Sequence, residues 1–369
     1  MKIVLISGAD SIHTLRWANG LASKGDEVHV ISQHPCSQPF NQKVKLHIFP
    51  YKGLIGYFTM IPRVKKLIHN IKPDILNAHY ASGYGTTARL LNFHPYVLSV
   101  WGSDIYLFPY KSFIHKWLIR TNILAADAIA STSNAMANQI RCIVPEINNI
   151  SITPFGVNVK DFEKKNLKVI NNESIITIGT IKTMSFMYGI DILLESFAIL
   201  IKKLQTNKIY NSKLKLRLVG GGENISDFIA LAKKLDIYQH VSFIGQINHS
   251  SVPQELEKLN IYVALSRSES FGVAILEAGA AGKAVVVSNV GGLPEVVVQD
   301  ETGIIVQNES PVEAANAIEK LILNADLRNT MGENAKRHVM QNYSWDMCIQ
   351  KMLIVYQETI NLYKNKISN

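Results

Sequence analysis

The chain alternates short apolar runs typical of β-strands with longer segments typical of helices, from its first residues to beyond residue 300. Strands separated by helices indicate parallel sheets, because two parallel neighbours need a long crossover connection. The predicted strands are 2–7, 27–32, 44–49, 74–79, 96–101, 127–132, 149–153, 175–179, 214–220, 241–245, 261–265, 284–288 and 303–306. This pattern predicts an α/β protein with two parallel-sheet domains of the Rossmann type.

Length and composition support two domains. The chain has 369 residues, of which 47% are hydrophobic and 18% charged, so it is too long for one ordinary core and too apolar for disorder. A polar stretch at about 160–173 lacks apolar periodicity and is the predicted linker. We therefore expect an N-terminal domain at 1–165, a C-terminal domain at 166–344 and a final helix at 345–369.

Several other classes of protein are not expected. Cys36, Cys142 and Cys348 have no metal-ligand spacing, so we expect buried thiols in a reducing compartment. The short apolar run that ends at Gly8 fits a first strand better than a secretion signal. No segment reaches the length of a membrane span. These features predict a cytoplasmic location.

The positive charge lies in one half of the chain. Residues 1–165 hold 18 Lys and Arg against 9 Asp and Glu, which accounts for the whole net charge of +9. Residues 106–120 interleave aromatic side chains with cations, and 61–67 add further basic charge. Such a composition is typical of a surface that contacts an anionic membrane, and equally of a partly buried helix whose lysines reach solvent. Nucleic acid is not expected, since no recognised binding motif accompanies the charge.

The segment 266–278 predicts a ligand site. It reads as the loop and helix that follow a buried strand, and it carries two carboxylates, Glu269 and Glu277. Backbone N–H groups near Phe271, Gly272 and Val273 would lie at the start of the helix, where the dipole favours an anion. Glu277 would lie about 7 Å further along the helix axis. This separation matches that between a phosphate and its own ribose.

These motifs together resemble glycosyltransferase family 4. The resemblance rests on Glu269 and Glu277 with Phe271-Gly272 between them, on the glycine run 220–222 before Glu223, and on the motif at 291–295, Gly-Gly-Leu-Pro-Glu. It covers nearly the whole chain. It implies the GT-B fold, in which two Rossmann-like domains face each other across a cleft and the last helix crosses back to the first domain.

The resemblance also implies a reaction and a set of donor contacts. Family members are retaining enzymes that use nucleotide-sugar donors, and the leaving phosphate helps to deprotonate the acceptor hydroxyl. Backbone N–H groups at Gly272 and Val273 would hold the donor, Glu277 would bind the ribose hydroxyls, and Glu269 would lie against the donor sugar as a catalytic residue. Gly8 would let the first loop approach the diphosphate, although a plain strand-to-helix turn would also need a glycine.

The chain departs from the family at the diphosphate. An Arg and a Lys are usual there, whereas this chain has Lys182 after the first strand of the second domain and Tyr188-Gly189 later. Lys182 is therefore the expected phosphate contact. The loops that contain Gly222 and Ile244 are expected to hold the base. No Asp-x-Asp signature is evident, so neither a metal nor another cofactor is expected.

A second departure lies in the first domain. A His-Gly pair is usual after one strand, and Trp101-Gly102 replaces it here. Trp101 is expected to stack on a sugar face, and Asp104 to bind or orient an acceptor hydroxyl. His79 ends a predicted strand, where ligands of open sheets bind, so it is a catalytic candidate, with a satisfied core histidine as the alternative. His13 and Arg16 are candidates for the acceptor side.

The sequence therefore predicts a retaining hexosyl- or N-acetylhexosaminyltransferase. It would move a sugar from a nucleoside-diphosphate-sugar to a glycan or lipid-linked acceptor in bacterial surface polysaccharide biosynthesis, such as O-antigen, capsule or lipopolysaccharide. It would act on the inner face of the cytoplasmic membrane, with peripheral contact to anionic lipid. The alternatives are a GT-B nucleotide-sugar epimerase or phosphorylase, or a noncatalytic nucleotide-binding Rossmann protein.

Overall fold

The computed structural model describes residues 1–162, 175–206 and 214–368. The chain divides into two compact units, Met1–Phe155 with Trp345–Asn369, and Gly156–Ser344. Residues 163–173 of the predicted linker, and the domain boundary predicted at 165, lie outside the described residues.

The first unit is built on a parallel sheet of seven strands, as described, in the order β3-β2-β1-β4-β5-β6-β7. The strands are β1 Lys2–Ile6, β2 Glu27–Ser32, β3 Val44–Ile48, β4 Ile75–His79, β5 Tyr96–Val100, β6 Ala128–Ser131 and β7 Ile150–Ile152. All seven predictions in this half are confirmed to within one residue at each end. The strand order reverses between β1 and β4, where a crevice forms at the carboxyl edge of such a sheet.

Helices cover this sheet. They are α1 Ile12–Ser23, α2 Gly53–Thr59, α3 Ile61–Ile71, α4 Gly83–Leu91, α5 Ser103–Tyr106, α6 Phe113–Leu124 and α7 Asn134–Ile143, with a 3₁₀ turn at Phe108–Tyr110. Buried residues of α3, α4, α6 and α7 join one face of the sheet in a single core cluster. Removal of this apolar area from water is the main stabilising term of the unit.

The second unit has a six-stranded parallel sheet among its described residues, in the order β10-β9-β8-β11-β12-β13. Its strands are β8 Ile176–Ile181, β9 Leu214–Val219, β10 Val241–Gly245, β11 Ile261–Ala264, β12 Ala284–Ser288 and β13 Gly303–Val306. Each matches its prediction to within two residues. The helices are α8 Ile190–Thr206, α9 Ile225–Lys234, α10 Val252–Glu257, α11 Val273–Ala280, α12 Leu293–Val296, α13 Pro311–Leu323 and α14 Ala325–Asn342. Short 3₁₀ turns lie at Val159–Phe162, Phe186–Tyr188, Tyr238–His240 and His249–Ser251.

The last helix, α15 Trp345–Ser368, belongs to the first unit, as the family resemblance implies. At its start, the rings of Trp345 and Trp17 meet edge to face with centroids 5.2 Å apart. Further along, the Asn77 amide donates a 2.6 Å hydrogen bond to the Tyr356 hydroxyl. The helix therefore covers part of the first sheet although it follows the whole second unit in sequence.

The prediction about the cysteines is wrong for two of them. Cys348 is buried on α15, whereas Cys36 and Cys142 are exposed. Cys36 lies in the loop after β2, and Cys142 lies on α7 between the buried Ile140 and Ile143, on the side of the helix that faces solvent. The expectation failed because cysteine is only usually buried, and loop or helix position decides the individual case.

Candidate functional site

The predicted donor-binding residues of the second unit gather at the carboxyl edge of its sheet. Lys182 follows β8, and Glu269 lies in the loop after β11. These two strands are neighbours at the point where the strand order reverses. Ligands of open parallel sheets bind in the crevice outside such a point. The topology thus joins two residues that are 87 positions apart in the sequence.

Lys182 and Glu269 form an ion pair in this crevice. The Lys182 ammonium donates to Glu269 Oε2, and the two side chains are only 11% and 13% exposed. The Lys182 Nζ also lies 4.8 Å from the centre of the Tyr188 ring. Burial alone would lower the pKa of Lys182, but the negative charge of Glu269 outweighs it and raises the pKa to about 12. The site therefore holds a permanent cation in a poorly solvated position.

Two glycines allow the Glu269 loop to adopt its path. Gly291 has a φ of +53°, and a Cβ there would lie 1.8 Å from the carbonyl oxygen of Glu269. The N–H of Gly292 donates a 3.0 Å hydrogen bond to the same oxygen. The Gly-Gly-Leu-Pro-Glu motif therefore fixes the backbone that carries Glu269, a role for which the sequence offered no physical account.

Glu277 lies on α11, which begins at Val273 after Gly272, whose φ is +106°. The Glu277 side chain is 9% exposed, and its Oε1 lies 2.9 Å from His249 Nε2. Sequence reasoning missed His249, because it lies in a 3₁₀ turn without a motif, and only the fold brings it to α11. His249 fixes one carboxylate oxygen, which leaves Oε2 for a ligand hydroxyl.

The glycines at 220–222 allow two backbone segments of the second unit to approach each other closely. A Cβ at Gly220 would lie 1.9 Å from the Lys182 carbonyl oxygen, and one at Gly222 would lie 2.3 Å from that of Met184. We expected these glycines to admit a nucleotide, and this close approach of backbone to backbone is a different reason for them. They hold the Lys182 loop against the end of β9.

Ile244 lies at a β-bulge. β10 is an edge strand, and its register with β9 shifts between Phe243 and Gly245, so Ile244 has no partner in the ladder. Bulges release backbone groups from strand pairing and often lie beside active sites. The contact of Ile244 with a base stays a prediction.

Arg267, the other cation close to Glu269 in sequence, is already engaged. Its guanidinium binds both carboxylate oxygens of Asp191, at 2.8 and 2.9 Å, and its Nε donates to Glu309 at 2.8 Å. These hydrogen bonds raise its pKa above the ordinary arginine value. Arg267 therefore ties the loop to α8, and the contact of Lys182 with a diphosphate stays a prediction.

In the first unit, His79 ends β4 and is 1% exposed. Its Nδ1 lies 2.9 Å from Ser7 Oγ, whereas its buried Nε2 has no hydrogen-bond partner among the described residues. Burial lowers the pKa of His79 to about 3. A ring that stays neutral suits a hydrogen-bonding role better than that of a general base at neutral pH.

Trp101 and Asp104 are both more enclosed than expected. Trp101 is 6% exposed, and its ring lies 4.4 Å from His79 and 5.5 Å from Phe155 between ring centres. This aromatic enclosure argues against stacking of Trp101 on a sugar.

Asp104 is 1% exposed and accepts hydrogen bonds from the backbone N–H groups of Ala81, Trp101 and Gly102 at 2.8 to 3.2 Å. Burial raises the pKa of the Asp104 carboxyl above its ordinary value, although these hydrogen bonds act in the opposite direction. The geometry favours a positioning role for Asp104.

The remaining candidates lie near the start of α1. His13 stacks on Phe155 with ring centroids 4.0 Å apart, and Arg16 follows one turn later on the same helix. A Cβ on Gly8 would lie 2.6 Å from Asp10 Oδ1. Gly8 also lines an open cavity of about 370 Å³ within this unit. The predicted acceptor-side residues thus surround the switch point of the first sheet.

Two further properties concern the described residues only. In the parts of the chain that the structure describes, no group of three or more His, Cys, Asp or Glu side chains could hold a metal ion. Within the same ranges, the helices are either too short or too polar to cross a membrane.

Comparison with known proteins gives matches over nearly the whole chain. The family described as Glycosyl transferases group 1 matches residues 160–338, and the family described as Glycosyl transferase 4-like matches residues 2–133.

Individual relatives match at low identity but high coverage. The chain is 25% identical to an uncharacterised glycosyltransferase of Methanocaldococcus jannaschii over 344 residues, 91% of each chain. It is 27% identical to the capsular polysaccharide biosynthesis glycosyltransferase CapM of Staphylococcus aureus over 356 residues, again 91% of each. The solved structure of Anabaena HepE in complex with UDP matches with a TM-score of 0.81 and 16% identity, over 97% of this chain and 100% of that one. At that identity the likeness to HepE concerns the fold alone.

Proposed function

Because the chain belongs to the Glycosyl transferases group 1 family and has its GT-B fold, we propose that it is a retaining glycosyltransferase. It takes a sugar from a nucleoside-diphosphate-sugar and transfers it to a hydroxyl of a glycan or lipid-linked acceptor. The donor site is the crevice at the carboxyl edge of the second sheet, around Lys182, Glu269 and Glu277.

The observation that carries this proposal is the buried pair of Lys182 and Glu269. Transfer of a glycosyl group leaves negative charge on the departing diphosphate, so catalysis needs positive charge fixed there in advance. Lys182 supplies it, together with the N–H groups at Gly272 and Val273 where α11 begins. Glu269 lies beside the cation, where its carboxylate would bind a donor hydroxyl.

Glu277 and Ile244 serve the nucleoside in this proposal. The free oxygen of Glu277 accepts a ribose hydroxyl while His249 holds the other oxygen. A hydrogen bond to a charged acceptor contributes about 1.5–3 kcal/mol. The backbone of Ile244, at the bulge in β10, would read the edge of the base. We propose uridine as that base, because HepE was solved with UDP and with UDP-glucose.

Thermal unfolding against UDP-, GDP-, ADP- and dTDP-sugars tests the donor site, because a ligand that binds only the folded state raises the melting temperature. We expect UDP-sugars to give the largest shift, and Lys182→Ala to reduce it. Lys320→Ala is the matched control, since Lys320 is also ion-paired but lies on the exposed surface of the same unit. Equal shifts in both variants would remove Lys182 from the site. Acceptor-independent conversion of the donor would instead favour an epimerase.

For the acceptor, we propose a growing bacterial surface polysaccharide. This step is supported by the likeness to CapM over 91% of the chain. Such acceptors are held at the inner face of the cytoplasmic membrane, and an enzyme that uses them gains from staying close to that surface. The transferred sugar is a hexose or an N-acetylhexosamine. Turnover measured with each UDP-sugar in turn would identify it.

Contact with the membrane is supported by exposed apolar side chains on α2 and α6, which we call the apolar rim: Leu54, Ile55, Phe58, Phe113, Ile114 and Trp117. Phe113 is 81% exposed and Leu54 77% exposed. Helix α4 joins the two, because Thr87 donates to α2 and Arg89 donates to α6. Cations flank the rim at Lys52, Lys111 and Lys116. Exposed apolar patches rimmed by charge mark interaction sites, and this charge suits anionic lipid.

Sedimentation with vesicles tests this contact. The chain should sediment with anionic vesicles, much less with neutral ones, and the double variant Phe113→Ser, Trp117→Ser should remain in the supernatant. The control is Ile354→Ser, Leu362→Ser, which removes two exposed apolar side chains from α15 instead. Equal loss in both variants, or no sedimentation of the unmodified chain, would contradict the proposal.

A further inference from the structure

Apart from Gly8, the lining of the open cavity of the first unit is not used by the proposed donor chemistry. It lies at the carboxyl ends of β1, β2 and β4, and its volume is about 370 Å³. Its walls include Asp10, His34, Tyr57, Tyr80 and Tyr84. A volume of this size is at the lower end of the range for small-molecule sites. The chemistry of these side chains identifies the kind of ligand that fits.

One wall presents a histidine nitrogen that no neighbour engages. The Tyr84 hydroxyl accepts the N–H of Gln33 at 3.2 Å and lies 2.7 Å from His34 Nδ1, so this hydroxyl holds one side of the His34 ring. The other ring nitrogen, Nε2, has no hydrogen-bond partner among the described residues. His34 lines the cavity and therefore offers Nε2 to a ligand as a hydrogen-bonding atom.

Another wall presents an acceptor. The Asp10 side chain makes no hydrogen bond or ion pair with any residue that the structure describes, and Asp10 is exposed at the cavity. The missing Cβ of Gly8 gives its carboxylate room, since that atom would lie 2.6 Å from Asp10 Oδ1. Two carboxylate oxygens can accept hydrogens from adjacent hydroxyl groups. A histidine nitrogen and a carboxylate therefore line the same small space.

An aromatic ring lines the same cavity. Tyr57 stands perpendicular to Tyr84, with centroids 5.0 Å apart and an interplanar angle of 87°. Its ring rests on Gly83, where a Cβ would lie 2.3 Å from Tyr57 Cζ, so glycine suits this position. Tyr80, also in the lining, has a φ of +70°, a costly backbone conformation for tyrosine. An aromatic face beside polar groups suits the C–H face of a sugar ring.

The charge of the cavity distinguishes neutral from anionic sugars. Its described lining contains neither Lys nor Arg, and Asp10 brings one negative charge. Helices α1 and α4 both begin at the cavity, and each N-terminus counts as roughly half a positive charge. These contributions nearly cancel, so a phosphate or carboxylate gains no net attraction and meets Asp10 directly.

We propose that this cavity binds one uncharged sugar residue of the acceptor, with Tyr57 under the ring, Asp10 accepting from its hydroxyls and His34 Nε2 forming a hydrogen bond with one of them. The proposal rests on the proposed function and makes it more specific. It states that the sugar residue of the acceptor that enters the cavity is uncharged. Acceptors whose entering residue carries phosphate or carboxylate are excluded.

Saturation-transfer NMR on the full chain in the presence of UDP tests this assignment. The probes are methyl glucoside, methyl galactoside and methyl N-acetylglucosaminide, with glucose 6-phosphate and methyl glucuronide as anionic counterparts. We expect at least one neutral glycoside to bind more tightly than both anions. Tyr57→Ala should weaken its binding about tenfold, whereas Tyr363→Ala, the same change at a partly exposed tyrosine of α15 outside the cavity lining, should leave it unchanged. Asp10→Asn should reduce the discrimination against glucose 6-phosphate.

Tighter binding of either anion, no binding of any neutral glycoside, or equal loss with Tyr57→Ala and Tyr363→Ala would each overturn the assignment. If Tyr57→Ala fails to fold, Asp10→Asn alone decides, since a carboxylate-to-amide change at an exposed side chain leaves the packing intact. The melting-temperature shift with UDP separates this inference from the proposed function. A normal UDP shift without glycoside binding rejects the neutral-sugar site only, and an absent UDP shift in the unmodified chain rejects the donor site.

Discussion

At the scale of single residues, the charge on the Lys182 ammonium depends on the groups that surround it. An ammonium taken out of water would lose its proton unless a carboxylate lay beside it, and Glu269 is that carboxylate. Removal of one member of a buried pair leaves an uncompensated charge, which typically costs about 3–5 kcal/mol. A diphosphate that entered the crevice would therefore find the cation charged, placed and already desolvated.

His79 permits a prediction about pH. Its pKa is about 3 in the folded chain against 6.5 ordinarily, so the unfolded chain takes up a proton first as the pH falls. Stability is therefore lost on acidification, beginning near pH 6.5 and continuing towards pH 3. Between pH 7 and pH 5 this one residue should remove about 2 kcal/mol from the free energy of unfolding.

Urea unfolding of the wild type and of His79→Gln at pH 7 and pH 5 measures this contribution. The variant is less stable at pH 7 but lacks the titrating ring, so its stability should fall less between the two pH values. His69→Gln is a suitable control, because His69 is an exposed histidine on α3 of the same unit. The same pH dependence in wild type and His79→Gln would mean that the ring titrates normally in the folded chain.

At the scale of the elements, the strands were predictable and the side-chain pairings were not. Strands of a parallel sheet are buried on both faces, so runs such as Val285–Val287 stand out from the polar turns around them. The pairs Lys182 with Glu269 and Glu277 with His249 depend on which strands become neighbours, which no local pattern encodes. The enclosure of Trp101 and Asp104 depends in the same way on the packing of the loop after β5.

Gly291 provides a prediction for the loop that holds Glu269. Gly291→Ala places a Cβ 1.8 Å from the Glu269 carbonyl oxygen, in addition to the cost of a positive φ. The left-handed conformation alone costs about 1–2 kcal/mol for alanine. The backbone collision should add about 1–3 kcal/mol and shift the Glu269 loop. We therefore expect a lower melting temperature together with a weaker thermal shift from UDP-sugars.

Gly282→Ala is the matched control for this variant. Gly282 has a φ of +68° in the same unit, and the nearest heavy atom to its added Cβ would be 3.9 Å away. It should lose stability from the backbone conformation alone and retain the UDP-sugar shift. Should both variants keep the shift, the position of Glu269 would not matter for donor binding.

At the scale of the whole molecule, the chain makes its first unit from two separate segments. The amphipathic pattern of the last segment predicted a long helix, but the pattern alone does not say which sheet it covers, and the family resemblance supplied that answer. The structure gives the physical reason. Trp345, Met352 and Tyr356 meet Trp17 and Asn77 of the first unit, and Asp346 lies 2.7 Å from Lys24.

This arrangement makes stability of the first unit depend on the end of the chain. Tyr356→Phe removes the hydroxyl that accepts the buried Asn77 amide, and an unsatisfied buried donor costs about 1–3 kcal/mol. Asn77 lies on β4, and its side-chain oxygen accepts a hydrogen bond from the Ser99 hydroxyl on β5. We therefore expect the backbone amide hydrogens of 75–79 and 96–100 to exchange faster. The strands between 176 and 306 should keep their protection.

Tyr363→Phe is the control, because it makes the same change at a partly exposed ring about two turns later on α15. It should alter exchange in neither region. Faster exchange throughout both sheets would instead mean that the two units unfold as one, and that α15 stabilises the whole chain.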